Sequence, residues 1–84
     1  MYFVYVLLST KDNRFYIGFT DNIERRYDAH CRGEVISTKN RRPLELIFYE
    51  MHRSKHDALR RESYFKTAKG KTTLRQILRE YLEE

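Results

Sequence analysis

The sequence predicts an α+β domain, a three-stranded antiparallel sheet flanked by helices in the order ββαβαα. Three observations predict it. Two short aromatic and aliphatic runs, Phe3-Val4-Tyr5-Val6-Leu7-Leu8 and Phe15-Tyr16-Ile17-Gly18, flank a polar turn. A third such run lies between residues 44 and 51. The segments after the second and third runs carry helix start and stop signals. The chain has 84 residues, enough for one core, and is read as a single domain over 1–84.

Residues 2–8 are β-branched, aromatic and aliphatic without charge, the composition of a buried strand. Ser9 to Arg14 is turn chemistry, with Asp12-Asn13 able to bend the chain through side-chain-to-backbone bonds. Phe15 to Phe19 is the second strand and closes a hairpin, with Gly18 at its end free to permit close backbone approach. Asp21 followed by Glu24 reads as a capping-box variant, so a helix is expected from Asn22 to Arg32, stopped by Gly33. Residues 34–43 are polar and basic, end in the only proline, and read as a loop.

Leu44 to Met51 is the third strand, with Leu44, Leu46 and Phe48 expected on one face and Ile47 and Tyr49 on the other. Ser54 with Asp57 caps a helix over 54–68, closed by Gly70. Thr73 with Gln76 opens the last helix, whose Leu74, Ile77, Leu78, Tyr81 and Leu82 recur at helical spacing. That stripe is core packing.

Charge bounds the partners. Seventeen Lys and Arg against twelve Asp and Glu give +5, which favours anionic partners, nucleic acid first. One cysteine, Cys31, makes neither an internal disulfide nor a zinc site, and fits a reducing cytoplasm. No apolar run approaches the roughly 18 residues of a membrane span, and the N-terminal run lacks the basic start of a signal peptide, so no membrane partner is expected.

Several residues can carry chemistry. Tyr5 and Tyr16 stand on strands that a short turn pairs, either as core aromatics with hydroxyls at the rim or as neighbours in a site. Arg26 and His30, one helical turn apart, form either a solvated pair or a phosphate grip beside a proton carrier. Glu62 falls among Ala58, Leu59 and Phe65, and a carboxylate there needs a partner. A divalent metal fits, as does a salt bridge to Arg61 or Lys66. The basic groups in 39–42 and at Arg60, Arg61, Lys66, Lys69 and Lys71 are either phosphate contacts or a solvated face.

The order and spacing of these groups resemble the GIY-YIG nuclease superfamily, in its small single-domain bacterial branch near the URI-type nuclease domain. Phe3-Val4-Tyr5 stands for the first motif, departing at two positions and keeping the tyrosine. Tyr16-Ile17-Gly18 matches the second motif in full, eleven residues after Tyr5. Glu24 to His30 looks like the arginine-and-histidine helix, and Ala58 to Glu62 like the helix of the metal-binding glutamate.

The resemblance implies a metal-dependent endonuclease acting on nucleic acid, DNA ahead of RNA, in repair or recombination. It implies that Glu62 holds Mg²⁺ or Mn²⁺, that Tyr5 activates the attacking water, relayed or replaced by His30, that Tyr16 positions water or phosphate, and that Arg26 neutralises transition-state charge. Gly18 is implied to keep the sheet open to the sugar-phosphate, with Thr20, Thr38 and Lys39 as substrate contacts beside it. Larger members carry an added targeting domain, which is not expected within these residues. A protein partner supplying targeting, and a monomer or weak dimer, are the corresponding expectations. The alternatives are a non-catalytic nucleic-acid-binding module of the same fold and a protein-interaction module.

Overall fold

The computed structural model describes residues 1–84. The elements are β1 (Tyr2–Ser9), β2 (Phe15–Thr20), α1 (Ile23–Cys31), α2 (Ile36–Lys39), β3 (Leu44–His52), α3 (Lys55–Phe65), α4 (Ala68–Ile77) and α5 (Arg79–Glu83). The expected α+β architecture is present: one three-stranded sheet in the order β2-β1-β3, antiparallel throughout. Two details differ. The expected loop over 34–43 contains the single-turn α2, and the expected last helix starts earlier and is divided at Leu78 into α4 and α5.

β1 is the central strand, and its two faces serve two cores. Val4 and Val6, with Ile17 of β2, pack against Ala58 and Phe65 of α3 and Leu74 of α4. Tyr5 and Leu7, with Leu44 of β3, pack on the other side beneath Ile23 and Tyr27 of α1. Burial on both faces explains why β1 reads as an unbroken apolar run rather than an alternation. Each fully buried Val, Leu or Phe here stabilises the fold by about 1.5–3 kcal/mol.

β3 departs from simple alternation. Val6 pairs with Phe48 and Leu7 with Leu46, so Ile47 is the extra residue of a bulge. Leu46 stays with the α1-side core, whereas Ile47 and Phe48 both pack on the α3-side core. The expectation that Phe48 shares a face with Leu44 and Leu46 is therefore corrected, because the bulge inserts one residue between them.

The polar turn is built as its residues predict. Ser9 Oγ accepts from the Lys11 and Asp12 N–H groups and donates to the Arg41 carbonyl at 2.6 Å. Asp12 Oδ1 accepts from the Arg14 N–H at 2.9 Å, and Asn13 takes φ 60. Arg41 forks onto the Asp12 carboxylate at 2.7 and 3.4 Å, tying the turn to the strand that follows α2.

Helix ends follow local side chains with two corrections. Asn22, not Asp21, caps α1 by accepting from the Arg25 N–H at 3.0 Å, while Asp21 pairs with the Arg25 guanidinium. Gly33 ends α1 in the left-handed region at φ 77, as expected. Ser54 caps α3. Gly70 is not a stop: Thr67 accepts from its N–H at 3.0 Å and so starts α4, with Gly70 buried inside the first turn. Thr73 is mid-helix, and its hydroxyl bonds the Tyr64 hydroxyl at 2.6 Å.

Gly70 is where α4 meets α3. A Cβ added there would overlap the Tyr64 carbonyl oxygen and crowd the Phe65 Cα, both backbone atoms that cannot step aside. Helix propensity alone would favour alanine by nearly 1 kcal/mol. Gly70→Ala is instead expected to destabilise the domain by about 1–3 kcal/mol, read as a lower urea midpoint; an unchanged or raised midpoint would show that the α3–α4 contact is loose.

Candidate active site on the α1 face of the sheet

The register of the hairpin builds the site. Tyr5 lies directly opposite Gly18 and Tyr16 opposite Leu7, so the two tyrosines are diagonal neighbours on one face with ring centroids 6.3 Å apart. The Tyr5 phenol occupies the space a side chain at position 18 would need; a Cβ there would meet Tyr5 Cζ, Cε1 and the hydroxyl. The expected role of Gly18 is to keep the sheet open to the sugar-phosphate; the room it leaves on this face is filled by the Tyr5 ring.

α1 leaves the end of β2 and returns across this face. Arg26 and His30 arrive on its inner side, as their spacing predicts. His30 Nε2 lies 2.7 Å from the Tyr5 hydroxyl, and Arg26 Nε donates to the same oxygen over a longer 3.4 Å. Tyr16 stacks edge-on to His30 at 5.1 Å between centroids. The structure thus brings Tyr5, Tyr16, Arg26 and His30 into one cluster.

α2, within the segment expected as loop, forms the wall of that cluster. Thr38 Oγ1 lies 2.7 Å from His30 Nδ1, and the Ser37 hydroxyl reaches toward the Tyr16 hydroxyl at 3.5 Å. Thr38 is 1% exposed and His30 is fully buried. Both side chains, Thr38 among the expected substrate contacts, are thus closed off from solvent.

The hydrogen bonds hold the imidazole from both sides. Thr38 Oγ1 engages Nδ1 and the Tyr5 hydroxyl engages Nε2, each at 2.7 Å. In a neutral imidazole one nitrogen donates and the other accepts, so the ring couples the two hydroxyls whichever nitrogen carries the proton. Arg26 donates to the Tyr5 oxygen.

Electrostatics agree with a neutral pair. Burial pushes the Tyr5 phenol up to about 12, opposed by its bond to Arg26. Burial and the Arg26 charge push His30 down to about 4. The Arg26 charge is favoured first by the Tyr5 oxygen it donates to, and further by Tyr16.

Glu62 sits on α3, beyond the other face of the sheet. Its half-buried carboxylate pairs with Lys66 at 3.2 Å, one of the two partners its spacing allows, while Arg61 turns to Glu50 at 2.7 Å. No hydrogen bond joins Glu62 to the cluster, yet its charge is felt at Tyr5, where it helps raise the phenol. No three His, Cys, Asp or Glu side chains form a metal cage. A single carboxylate, here paired with Lys66, suits only a hard cation that keeps water and substrate oxygens in the rest of its shell.

The remaining expected contacts divide. Thr20 is buried, and its hydroxyl closes the turn into α1 by accepting from the Asn22 N–H and donating to the Asn22 carbonyl. It is a structural residue. Lys39 is exposed and its ammonium is unpaired, so it stays available to an anion. Of the other basic groups singled out, Arg41, Arg60, Arg61 and Lys66 are engaged by Asp12, Asp57, Glu50 and Glu62. Arg42 donates to the Lys39 and Cys31 carbonyls. Lys69 and Lys71 stay free of ion pairs.

Comparison with known proteins follows the same geometry. A family model described as the GIY-YIG catalytic domain matches residues 1–75. A UPF0213 protein of Limosilactobacillus reuteri is 47% identical over 68 residues, covering 77% of this chain and 70% of that protein. A UPF0213 protein of Staphylococcus haemolyticus is 40% identical over 77 residues, covering 90% and 93%. The solution structure of a UPF0213 protein from Bacillus halodurans superposes with a TM-score of 0.57 at 31% identity, covering 92% of this chain and 85% of that one.

His30 gives the domain an acid limit. The unfolded chain takes up a proton there near pH 6.5, the folded chain only near 4, so the stability held at neutral pH is lost as pH falls between them. The loss is expected to be about 2–3 kcal/mol. In His30→Gln, urea midpoints should stay flat across the upper part of that range; a wild-type slope in the variant would assign the transition to other groups.

Proposed function

This chain belongs to the GIY-YIG superfamily, in its URI-type branch, and from that premise we propose that it is a divalent-metal-dependent endonuclease that hydrolyses phosphodiester bonds in nucleic acid, DNA ahead of RNA. One observation carries the reading: Tyr5, Tyr16, Arg26 and His30 converge on one face through bonds of 2.7–3.4 Å and ring contacts, with Glu62 in electrostatic reach.

In this reading Arg26 receives the scissile phosphate. Its bond to Tyr5 is long, and a charge-assisted fork to phosphate oxygens is the stronger alternative. Moving the guanidinium to the phosphate uncovers the Tyr5 hydroxyl, which stays bonded to His30 Nε2. Tyr5 and Tyr16 then orient the attacking water. That water gives its proton to the Tyr5–His30 pair, its oxygen bonds to phosphorus, and the bond to the departing sugar oxygen breaks as that oxygen takes a proton from solvent, leaving a terminal phosphate and a hydroxyl. Arg26 offsets the charge that grows on the phosphoryl oxygens. Glu62, released from Lys66, would hold Mg²⁺ or Mn²⁺, which supplies Lewis-acid polarisation of the phosphate.

Thr38 is a positioning residue here: it holds His30 Nδ1 and, through the imidazole, the Tyr5 hydroxyl. His30 handles a proton through Tyr5, whose phenol covers its Nε2.

The test is cleavage of labelled single strands, nicked duplexes, flaps and junctions of DNA and RNA with Mg²⁺ or Mn²⁺. Arg26→Ala is expected to lower the rate about 10²–10³-fold, the cost of one transition-state donor, and Glu62→Gln to abolish the metal-dependent cut. Cleavage unchanged in Glu62→Gln would refute the site. Thr38→Val is expected to slow turnover about tenfold, on the scale of one misplaced proton-handling group, and to change the imidazole ¹⁵N signature of His30, with Thr38→Ser restoring both. An imidazole signature indifferent to Thr38→Val would remove Thr38 from this role.

A further inference from the structure

A second cluster lies away from these residues, at the hairpin turn. Asp12, Arg14, Phe15, Arg41, Lys71 and Arg75 line an open cleft of about 460 Å³ between the β1–β2 turn, the start of β2 and α4. Four of the six are cations. Arg41 is fully employed in holding the walls together, through Asp12 and the Arg14 and Phe15 carbonyls. It keeps the Asp12 carboxyl down to about 2, and that carboxylate is thereby spoken for. Arg14, Lys71 and Arg75 have no carboxylate partner.

Three features of this cluster oppose the stability of the chain alone. Lys71 and Arg75 are like charges at i, i+4 on α4, which destabilises a helix. Lys69 and Lys71 sit near the N-terminal end of α4, whose first turn holds no acidic residue, against the preference of the helix dipole. Arg14 adds a third positive charge from the turn. The placement is nevertheless rigid. Gly70 pins α4 to α3, Arg75 lies over the Phe15 ring at 5.6 Å, and the Asp12 and Asn13 geometry fixes the chain beside Arg14. Preformed, unpaired positive charge in a concave site is complementary to phosphate.

We infer that this cleft binds backbone phosphate of the nucleic acid at a distance from the scissile bond. The inference rests on the nuclease reading for the nature of the ligand. The cleft and the cluster lie on opposite faces of the edge strand β2, Phe15 lining one and Tyr16 standing in the other. A strand bound at Arg26 and Tyr16 reaches Arg14, Lys71 and Arg75 by passing round the β2 edge. These contacts hold the substrate equally before and during reaction, so they set affinity and not the chemical step.

The experiment measures binding of a labelled oligonucleotide, single-stranded and duplex, by fluorescence anisotropy in EDTA across a salt series. Arg14→Gln/Lys71→Gln/Arg75→Gln is the test variant, and Arg79→Gln, outside the cleft, is the control. The triple variant is expected to bind at least about tenfold more weakly, with a slope of log affinity against log salt shallower by about 2–3, close to one for each lost phosphate contact. Single-turnover cleavage at saturating DNA with Mg²⁺ should stay near the wild-type rate. Arg14→Gln/Lys71→Gln leaves the Phe15 stack intact and should lose about 2 of that slope, which guards against a folding defect in the triple variant. A wild-type slope in both variants, with wild type binding and cutting, would overturn the cleft and leave the nuclease reading standing. Absence of any salt-dependent binding by wild type would overturn both.

Discussion

The arrangement depends on one steric relation, the Tyr5 ring lying across Gly18. A buried tyrosine on a central strand has its ring directed into the core by default. Here the neighbouring position has no side chain, so the ring lies flat over β2 and its hydroxyl emerges beneath α1. That places the oxygen within 2.7 Å of His30 and in reach of Arg26. α1 can carry both residues to it because Asn22 starts the helix directly after β2 and Gly33 ends it within one pass of the sheet. The two motif positions, tyrosine and glycine, are thus two halves of one contact.

Much of this was legible in the sequence. The hairpin, the helix holding Arg26 and His30, and the two-sided burial of β1 follow from apolar runs, caps and glycine punctuation, which are local signals. Nearness of Tyr5 to Tyr16 needed only the register, which the turn fixes. What escaped is non-local or too short to signal. α2 is a single turn of four residues without a side-chain cap, below the length at which periodicity exists, and it supplies Thr38 and Ser37. Gly70 carries the composition of a helix stop, and only the approach of the Tyr64 carbonyl explains its place inside a helix. Arg14 and Arg75 drew no notice because they are sixty-one residues apart in a charged chain, and the fold alone makes them neighbours.

The charges divide along the same lines. Most cations near the α3 helix are matched to acids: Arg60 to Asp57, Arg61 to Glu50, Lys66 to Glu62. These pairs are half-exposed and individually worth little, about 0–1 kcal/mol. They cancel field locally, leaving the net excess of +5 concentrated on groups such as Lys39, Lys71 and Arg75. Uneven cancellation, more than total charge, gives the surface its direction.

The bulge at Ile47 has a consequence for chain length. A strand of strict alternation reverses every face when one residue is added or removed. β3 already holds one residue beyond the ladder, between the Phe48 and Leu46 pairings. Removing Ile47 would leave Leu44, Leu46 and Tyr49 on the α1 side and Phe48 and Glu50 on the α3 side, now in a regular ladder. β3 is thus the one strand where the length of the polypeptide can change by a residue while every other side chain keeps its face, the α3-side core losing only Ile47 itself.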